Sequence, residues 1–92
     1  MYGQGVYFAK EWWYSAYDKY SPPDPNRHKR IYQARVLTGQ YTVGKQEYFD
    51  APLKPNNQVL RYDSVVNNEQ NPLIYVIFKD AQAYPEYLIT FI

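Results

Sequence analysis

The sequence predicts an α+β fold, with a mostly antiparallel β-sheet and one helix packed against it. Short runs of apolar, β-branched and aromatic residues alternate with turn signals along most of the chain, which is typical of strands. A single aromatic stretch near the start has helical spacing instead. The sequence contains no repeats, low-complexity tracts or linkers, so we expect one small domain within its 92 residues.

The first element follows a glycine-containing turn. Gly3 and Gly5 bracket one polar residue, and glycine lets a backbone turn sharply or approach a ligand closely. Residues 6–9 are predicted to form a short strand, which would present Tyr7 on one face and Phe8 on the other.

A helix is predicted over residues 10–19. Trp13, Tyr17 and Tyr20 recur at helical spacing, which indicates one buried aromatic stripe. The helix is expected to end near Tyr20, because the residue before a proline disfavours the α conformation and prolines follow closely. The proline-rich residues 21–26 are predicted to form a loop.

The remaining strands are predicted from alternation or from continuous apolar character. In residues 30–37, Tyr32, Ala34 and Val36 alternate with polar side chains. Residues 73–78 are apolar or aromatic throughout, which indicates a strand buried on both faces. Other strands are predicted at residues 41–43, 63–66 and 86–92, with Pro85 at the start of the last, and a surface loop at residues 46–57.

Composition and charge exclude several classes of protein. Apolar residues make up 46% of the chain and aromatic residues 20%, which supplies a core and excludes a wholly disordered chain. The formal net charge is +1, so binding to nucleic acid through many phosphate contacts is not expected. The basic run from Arg27 to Arg30 is interpreted as a solvated loop before a strand.

Cysteine is absent, which excludes disulfides and thiolate zinc sites. The lone His28 has no cysteine partners with which to build a metal site, so no metal is expected. The sequence shows neither a signal peptide nor an apolar run long enough to span a bilayer. We therefore expect an intracellular protein without membrane contact.

Several motifs follow one another from end to end of the chain. The first is Gly3-x-Gly5-x-Tyr7-Phe8-Ala9, followed by Tyr14-Ser15. The later ones are Arg35-Val36-Leu37-Thr38-Gly39, Tyr62-Asp63-Ser64-Val65-Val66, Tyr75-Val76-Ile77-Phe78 and Gln82-Ala83-Tyr84-Pro85-Glu86-Tyr87-Leu88-Ile89. In this order they resemble the poly(ADP-ribose) polymerase (PARP) family of diphtheria-toxin-like ADP-ribosyltransferases. The resemblance is greatest to the mono-ADP-ribosylating members, including those that carry macrodomains.

The resemblance implies that residues 1–92 form the C-terminal half of an ADP-ribosyltransferase catalytic domain. The family's histidine, in a His-Gly motif upstream of the glycine turn, lies outside the matching part. Family members use NAD+ as substrate and pass ADP-ribose to a protein acceptor, with release of nicotinamide. The resemblance implies this reaction for the whole protein, in the nucleus or the cytoplasm, and little or no transfer by these residues alone.

The resemblance also implies which residues bind the donor. Tyr7 matches the catalytic tyrosine that hydrogen-bonds and borders the nicotinamide ribose, and Gly5, Phe8 and Ala9 match the donor-binding residues around it. Without the motif, Tyr7 would be interpreted as a buried strand tyrosine.

Two further residues match the family's nicotinamide pocket. Ser15 matches the serine that bonds the nicotinamide carboxamide, although helical periodicity alone places it on the exposed side. Tyr20 matches the aromatic residue that stacks on the nicotinamide ring, and its alternative role is that of a core aromatic at the helix end. Trp12 and Trp13 stand where related proteins tend to have smaller residues. They either fill core space against the sheet, which we favour, or alter the pocket wall.

The family's third catalytic position lies eight residues before Gln82, which is Ile74. Polymer-forming members carry a glutamate there, which can orient an incoming hydroxyl as a general base. Isoleucine has no polar atom, so the resemblance implies transfer of a single ADP-ribose. On its sequence alone, Ile74 is an ordinary buried strand residue.

Two other functions stay open on the sequence. The chain could belong to a catalytically inert PARP-like module, used for protein contacts or for weak binding of NAD+ or ADP-ribose. A tyrosine-rich module that binds RNA or glycans by stacking is the third possibility, and the near-zero net charge argues against it.

Overall fold

The structure, a computed structural model, describes residues 2–56 and 59–91 of the chain. In chain order its elements are β1 (Val6–Ala9), α1 (Trp12–Ser15), β2 (Lys29–Val36), β3 (Tyr41–Val43), β4 (Ser64–Val66), β5 (Ile74–Ile77), a 3₁₀ turn (Asp80–Gln82) and β6 (Ala83–Phe91). The predicted α+β class with mostly antiparallel strands is confirmed, since in the described residues the parallel strand pair is β3–β4 and the others are antiparallel.

Within the described residues the strands form two sheets, whereas the sequence predicted a single sheet. One has the strand order β1-β5-β4-β3, and the other is a two-stranded ribbon of β2 and β6. The predicted strands at residues 6–9 and 41–43 coincide with β1 and β3, and β4 and β5 fall inside the predicted ranges.

The core lies in the four-stranded sheet, around β4 and β5. Val65, Val66 and Val76 are fully buried. Neighbouring residues of a strand point to opposite faces, so burial of both Val65 and Val66 means that both faces of β4 are covered. In β5 only Tyr75 is partly exposed, which confirms the burial that its apolar run predicts. Val76 lies opposite Tyr7 of β1, so this core supports the strand that carries the glycine motif.

The ribbon contains a β-bulge that corrects the prediction for the last strand. Gln33 pairs with Tyr87 and Ala34 with Pro85, so Glu86 is the extra residue on β6. The strand therefore begins before Pro85 rather than after it. A proline cannot donate a ladder hydrogen bond, and a bulge is a place where a strand tolerates one. The predicted end of this strand at Ile92 lies outside the described residues.

The predicted ten-residue helix is wrong in length. α1 is a single turn, and the chain from Ala16 to Tyr20 continues in turns, with the Ser21 backbone N–H donating to the Tyr17 carbonyl at 2.8 Å. Tryptophan and tyrosine lose side-chain freedom in a helix. Glu11 at the N-cap also makes no capping hydrogen bond through its side chain. The segment does stop near Tyr20, as its following prolines predict.

The predicted buried aromatic stripe is also wrong, because Trp13, Tyr17 and Tyr20 are all exposed. A single turn is too short to lay three side chains along a sheet, and these rings contact neighbouring rings of the same segment instead. The favoured core role of the tryptophans fails for the same reason: Trp12 is 66% exposed and Trp13 46%.

The loop predicted at residues 46–57 is irregular over its described part, residues 46–56, apart from one bridge between Leu53 and Arg61. Asn57 lies outside the described residues. The basic run is only partly a loop, because Lys29 and Arg30 open β2.

The described chain is long and narrow, with extents of 52 × 23 × 22 Å and a radius of gyration of 14.7 Å. A compact domain of this length has a radius of gyration of about 12 Å. Large side chains are exposed along the ribbon, among them Tyr32, Tyr84, Tyr87 and Leu88. Isolated two-stranded ribbons are marginally stable at best, so this ribbon is a surface that further protein would stabilise.

Candidate functional site

A cleft of about 970 Å³ separates the start of the chain from the ribbon. One side is formed by β1, by α1 and by the segment that ends at Ser21, and the other by β2. The lining includes Tyr7, Phe8, Ala9, Ser15 and Tyr20 from the predicted donor-binding residues, together with Lys10, Glu11, Trp12, Arg30, Tyr32 and Tyr75. Ligand sites are usually clefts of this size with a few polar groups among apolar walls.

The glycine turn precedes β1, the strand that lines one side of the cleft. Gly3 has φ +139°, a conformation that other residues rarely adopt. A Cβ at Gly5 would overlap the Ile77 carbonyl oxygen, so only glycine lets β1 approach β5 this closely. Gly5 itself does not line the cleft.

The hydroxyl of Tyr7 is engaged by its own turn. It donates a hydrogen bond to the Gly3 carbonyl oxygen at 2.7 Å and accepts one from the Tyr2 backbone N–H at 2.8 Å. The structure therefore shows Tyr7 joining the turn to β1, a role that the motif alone does not indicate. Contact with a ribose stays a prediction.

Ser15 and Tyr20 line the cleft from the aromatic segment, residues 12–20, that follows β1. The Ser15 carbonyl oxygen accepts a hydrogen bond from the buried Ser21 hydroxyl at 2.7 Å, which ties the end of the segment back to α1. The Tyr20 ring is stacked on that of Tyr14, with centroids 5.3 Å apart and planes 18° from parallel. Lys19 Nζ also lies over the Tyr20 ring, 5.5 Å from its centroid, so a nicotinamide ring that stacks on Tyr20 needs a face that neither Tyr14 nor Lys19 covers.

Ile74 does not line the cleft. It is 7% exposed and pairs with Ala9, which does line it. Directly opposed residues of antiparallel strands lie on the same face, so Ile74 and Ala9 share one face of the sheet with Tyr7 and Val76. The structure thus brings Tyr7, Phe8, Ala9, Ser15 and Tyr20 together, and Gly5 and Ile74 do not line the cleft that they form.

Comparison with known proteins decides the family. No protein-family model matches the chain. It is 51% identical over 90 residues to the protein mono-ADP-ribosyltransferase PARP10 of Mus musculus, covering 98% of this chain and 9% of that protein. It is 52% identical over 91 residues to the protein mono-ADP-ribosyltransferase PARP14 of Homo sapiens, covering 98% of this chain and 5% of that protein. The chain belongs to the PARP family, in its mono-ADP-ribosyltransferase branch.

More distant relatives agree with this assignment. The protein mono-ADP-ribosyltransferase PARP11 of Mus musculus is 35% identical over 108 residues, covering 99% of this chain and 33% of that protein. The PARP-family chain thus spans a third or less of the relatives that it matches. The family predicted from the ordered motifs is confirmed, and the roles of the individual site residues stay predictions.

Sequence reasoning missed Tyr75 as a cleft residue of this PARP-family chain. It lies opposite Phe8, and its ring meets that of Tyr41 edge-on at 5.8 Å between centroids. Burial raises the pKa of the Tyr75 hydroxyl. The alternation of β5 could have indicated this position, since a residue next to Ile74 must point to the opposite face, which Phe8 shares.

The proline-rich loop holds one of the basic side chains of the cleft, Arg30 of β2, through Asp24. Asp24 accepts hydrogen bonds from the backbone N–H groups of His28 and Asn26, and Arg30 Nη1 lies 3.2 Å from Asp24 Oδ2. The hydrogen bond from the His28 backbone N–H is the largest of the interactions that lower the pKa of Asp24. Arg30 is therefore held beside the cleft with its charge paired.

The residues that the structure describes contain no group of three histidine, aspartate or glutamate side chains placed to hold a metal ion. Independence from metals stays a prediction for this PARP-family chain. In the same part of the chain, no helix has the length and apolar character that crossing a membrane requires.

Proposed function

We propose that this chain is the C-terminal part of a catalytic domain that transfers one ADP-ribose from NAD+ to a protein acceptor and releases nicotinamide. The observation that carries the proposal is the convergence of Tyr7, Ser15 and Tyr20 on one cleft, in a chain half identical to proteins named mono-ADP-ribosyltransferases. Tyr7 lies on β1, Ser15 and Tyr20 lie on the segment that follows it, and all three line the same cleft.

The chemistry assigns each side chain a task. Breaking the bond between nicotinamide and ribose develops positive charge on the sugar, so catalysis rests on holding the donor bent and stabilising that charge. Tyr7 would hydrogen-bond the nicotinamide ribose once its hydroxyl is released from Gly3. Ser15 would bond the carboxamide, and Tyr20 would stack on the ring, each adding about 1 kcal/mol. Gly5, Phe8 and Ala9 hold the segment that carries Tyr7.

Ile74 supports transfer of a single unit rather than a polymer. Its side chain cannot accept a proton from the hydroxyl of a second ADP-ribose, as a carboxylate could. Ile74 is also buried and does not line the cleft, so it presents no polar group there. The acceptor side chain of the target protein would therefore supply its own nucleophile.

The exposed ribbon supports the proposal that these residues are one part of a larger domain. Its large apolar side chains have no cover within the described residues, and the relatives are several times longer than the chain. We therefore propose that the 92 residues alone transfer little or no ADP-ribose, and that the whole protein acts in the nucleus or the cytoplasm.

Labelled NAD+ tests the proposal. A longer natural chain that carries the family's His-Gly motif upstream, called the extended protein below, should become labelled, whereas the 92 residues alone should not. Tyr7→Ala in the extended protein should lower the rate at least tenfold, with Phe49→Ala, on an exposed loop outside the cleft, as the control. Equal rates for Tyr7→Ala and the unmodified protein would exclude the assigned role.

A catalytically inert module is the second candidate. It is favoured by the engagement of the Tyr7 hydroxyl within its own turn and by the absence of a polar group at Ile74. Binding of NAD+ or ADP-ribose by the extended protein, without label transfer under any acceptor condition, is the result that this candidate predicts.

A further inference from the structure

Two neighbouring residues at the edge of the cleft, Glu11 and Trp12, have no task in the chemistry above. Both line the cleft and both are exposed. We propose that they form a subsite that recognises a lysine or arginine side chain of the acceptor protein. This inference rests on the proposed transferase function, because it names the class of acceptor that would approach the same cleft.

The carboxylate of Glu11 is available for an incoming cation. Among the described residues that line the cleft, Glu11 is the only one with a carboxylate. Its side chain makes no capping hydrogen bond to α1, and no described cation lies in ion-pair distance of it. A free carboxylate of this kind binds an ammonium or guanidinium group through charge-assisted hydrogen bonds.

The indole of Trp12 is available in the same way. Trp13, Tyr14, Tyr17 and Tyr20 contact one another ring to ring, whereas Trp12 has no ring contact with another described aromatic residue. No described lysine or arginine lies over its face either. Tryptophan is the side chain that attracts a cation most strongly through its ring. Core packing does not explain why Trp12 is exposed at the cleft edge, whereas binding of a cation would give the exposed ring a function.

The charges around this pair fit a cationic acceptor. Of the two cations that line the cleft, Arg30 is paired with Asp24, with 3.2 Å between Nη1 and Oδ2. Lys10 is the other and precedes Glu11 in the chain. Because Ile74 gives the cleft no carboxylate, Glu11 is the one fixed negative charge that an acceptor meets there among the described residues.

Transfer to two matched peptides tests the subsite in the protein extended upstream. Both peptides contain glutamate and serine as acceptors, flanked by lysine in one and by glutamine in the other. Unmodified protein should have a kcat/KM about fivefold higher for the lysine peptide, and 0.5 M NaCl should reduce this preference. Glu11→Gln and Trp12→Ala should each remove most of the preference and leave the KM for NAD+ unchanged.

Controls come from the adjacent positions. Trp13→Ala removes a tryptophan that does not line the cleft and should keep the preference. Lys10→Gln removes a charge of opposite sign from the same cleft and should keep or increase it. Retention of the preference in Glu11→Gln would overturn the proposal. The proposal would also be overturned if Trp12→Ala weakened NAD+ binding and the protein still preferred the lysine peptide.

Direct binding separates failure of this subsite from failure of the proposed function. Binding of both peptides can be followed through tryptophan fluorescence without any transfer. If the protein transfers nothing yet binds the lysine peptide about fivefold more tightly through Glu11 and Trp12, the subsite stands and the transferase proposal falls. Equal binding of the two peptides by the unmodified protein would overturn the subsite.

Discussion

Replacement of Tyr7 by phenylalanine isolates the hydroxyl that lies at the centre of the candidate site. The hydroxyl makes two hydrogen bonds, one to the Gly3 carbonyl oxygen at 2.7 Å and one from the Tyr2 backbone N–H at 2.8 Å. The first is partly buried and the second is exposed, so the second counts for less. If the first hydrogen bond contributes about 1 kcal/mol and the second about half of that, the substitution should lower the free energy of unfolding by about 1.5 kcal/mol.

Urea unfolding of the extended protein measures this loss, and label transfer from NAD+ is measured on the same samples. Tyr7→Phe should lower the free energy of unfolding and also lower kcat, because the hydroxyl is lost to the ribose as well. Tyr17→Phe is the matched control, since Tyr17 is 53% exposed, lies outside the ribbon and does not line the cleft, and it should change neither quantity.

The two measurements distinguish the structural role from the catalytic one. If Tyr7→Phe were as stable as Tyr17→Phe, the hydrogen bonds to the glycine turn would not stabilise the fold and the reasoning would be refuted. If stability fell while transfer stayed at the unmodified rate, the hydroxyl would serve the turn alone.

Two further predictions concern stability. Val76→Ala removes two buried methyl groups from the centre of the sheet and should lower the free energy of unfolding in urea by about 2 kcal/mol. Val43→Ala changes an exposed position and should lower it by under about 0.5 kcal/mol. Equal losses for the two variants would contradict the assigned core. Asp24 has a lowered pKa, so its charged form stabilises the fold at neutral pH. Asp24→Ala should therefore be less stable than the unmodified protein at pH 7, and the difference should shrink as the pH falls below about 4 and through the lowered pKa. A difference that grew with acidification would contradict the hydrogen bonding of the proline-rich loop.

Local patterns predicted the strands better than the helix. The strand at residues 6–9 and the buried run at β5 follow from short-range alternation and apolar character, and both are present in the structure. The helix was predicted from spacing alone, over a segment rich in tryptophan and tyrosine. Spacing shows which residues would share a face, but a helix needs a partner surface to bury that face, and none covers Trp13 or Tyr17.

The ribbon shows a similar limit. Alternation along residues 30–37 predicted β2, yet nothing local indicates that β2 pairs with β6 rather than with the larger sheet. The bulge at Glu86 also lets Pro85 lie inside β6, whereas its sequence position predicted that it starts the strand. Pairing of strands distant in sequence depends on the whole chain, and no short window contains that information.

By itself, the order of the motifs determined the family, because a chance match from one end of the chain to the other would require many independent coincidences. The α+β class was likewise predictable, since it depends on local periodicity. Only the tertiary structure decided that Tyr7, Ser15 and Tyr20 line one cleft, that Ile74 does not line it, and that Glu11 and Trp12 are exposed at its edge. The reason is physical: identity and local conformation are written in short segments, whereas a cleft forms where segments distant in sequence approach one another in space.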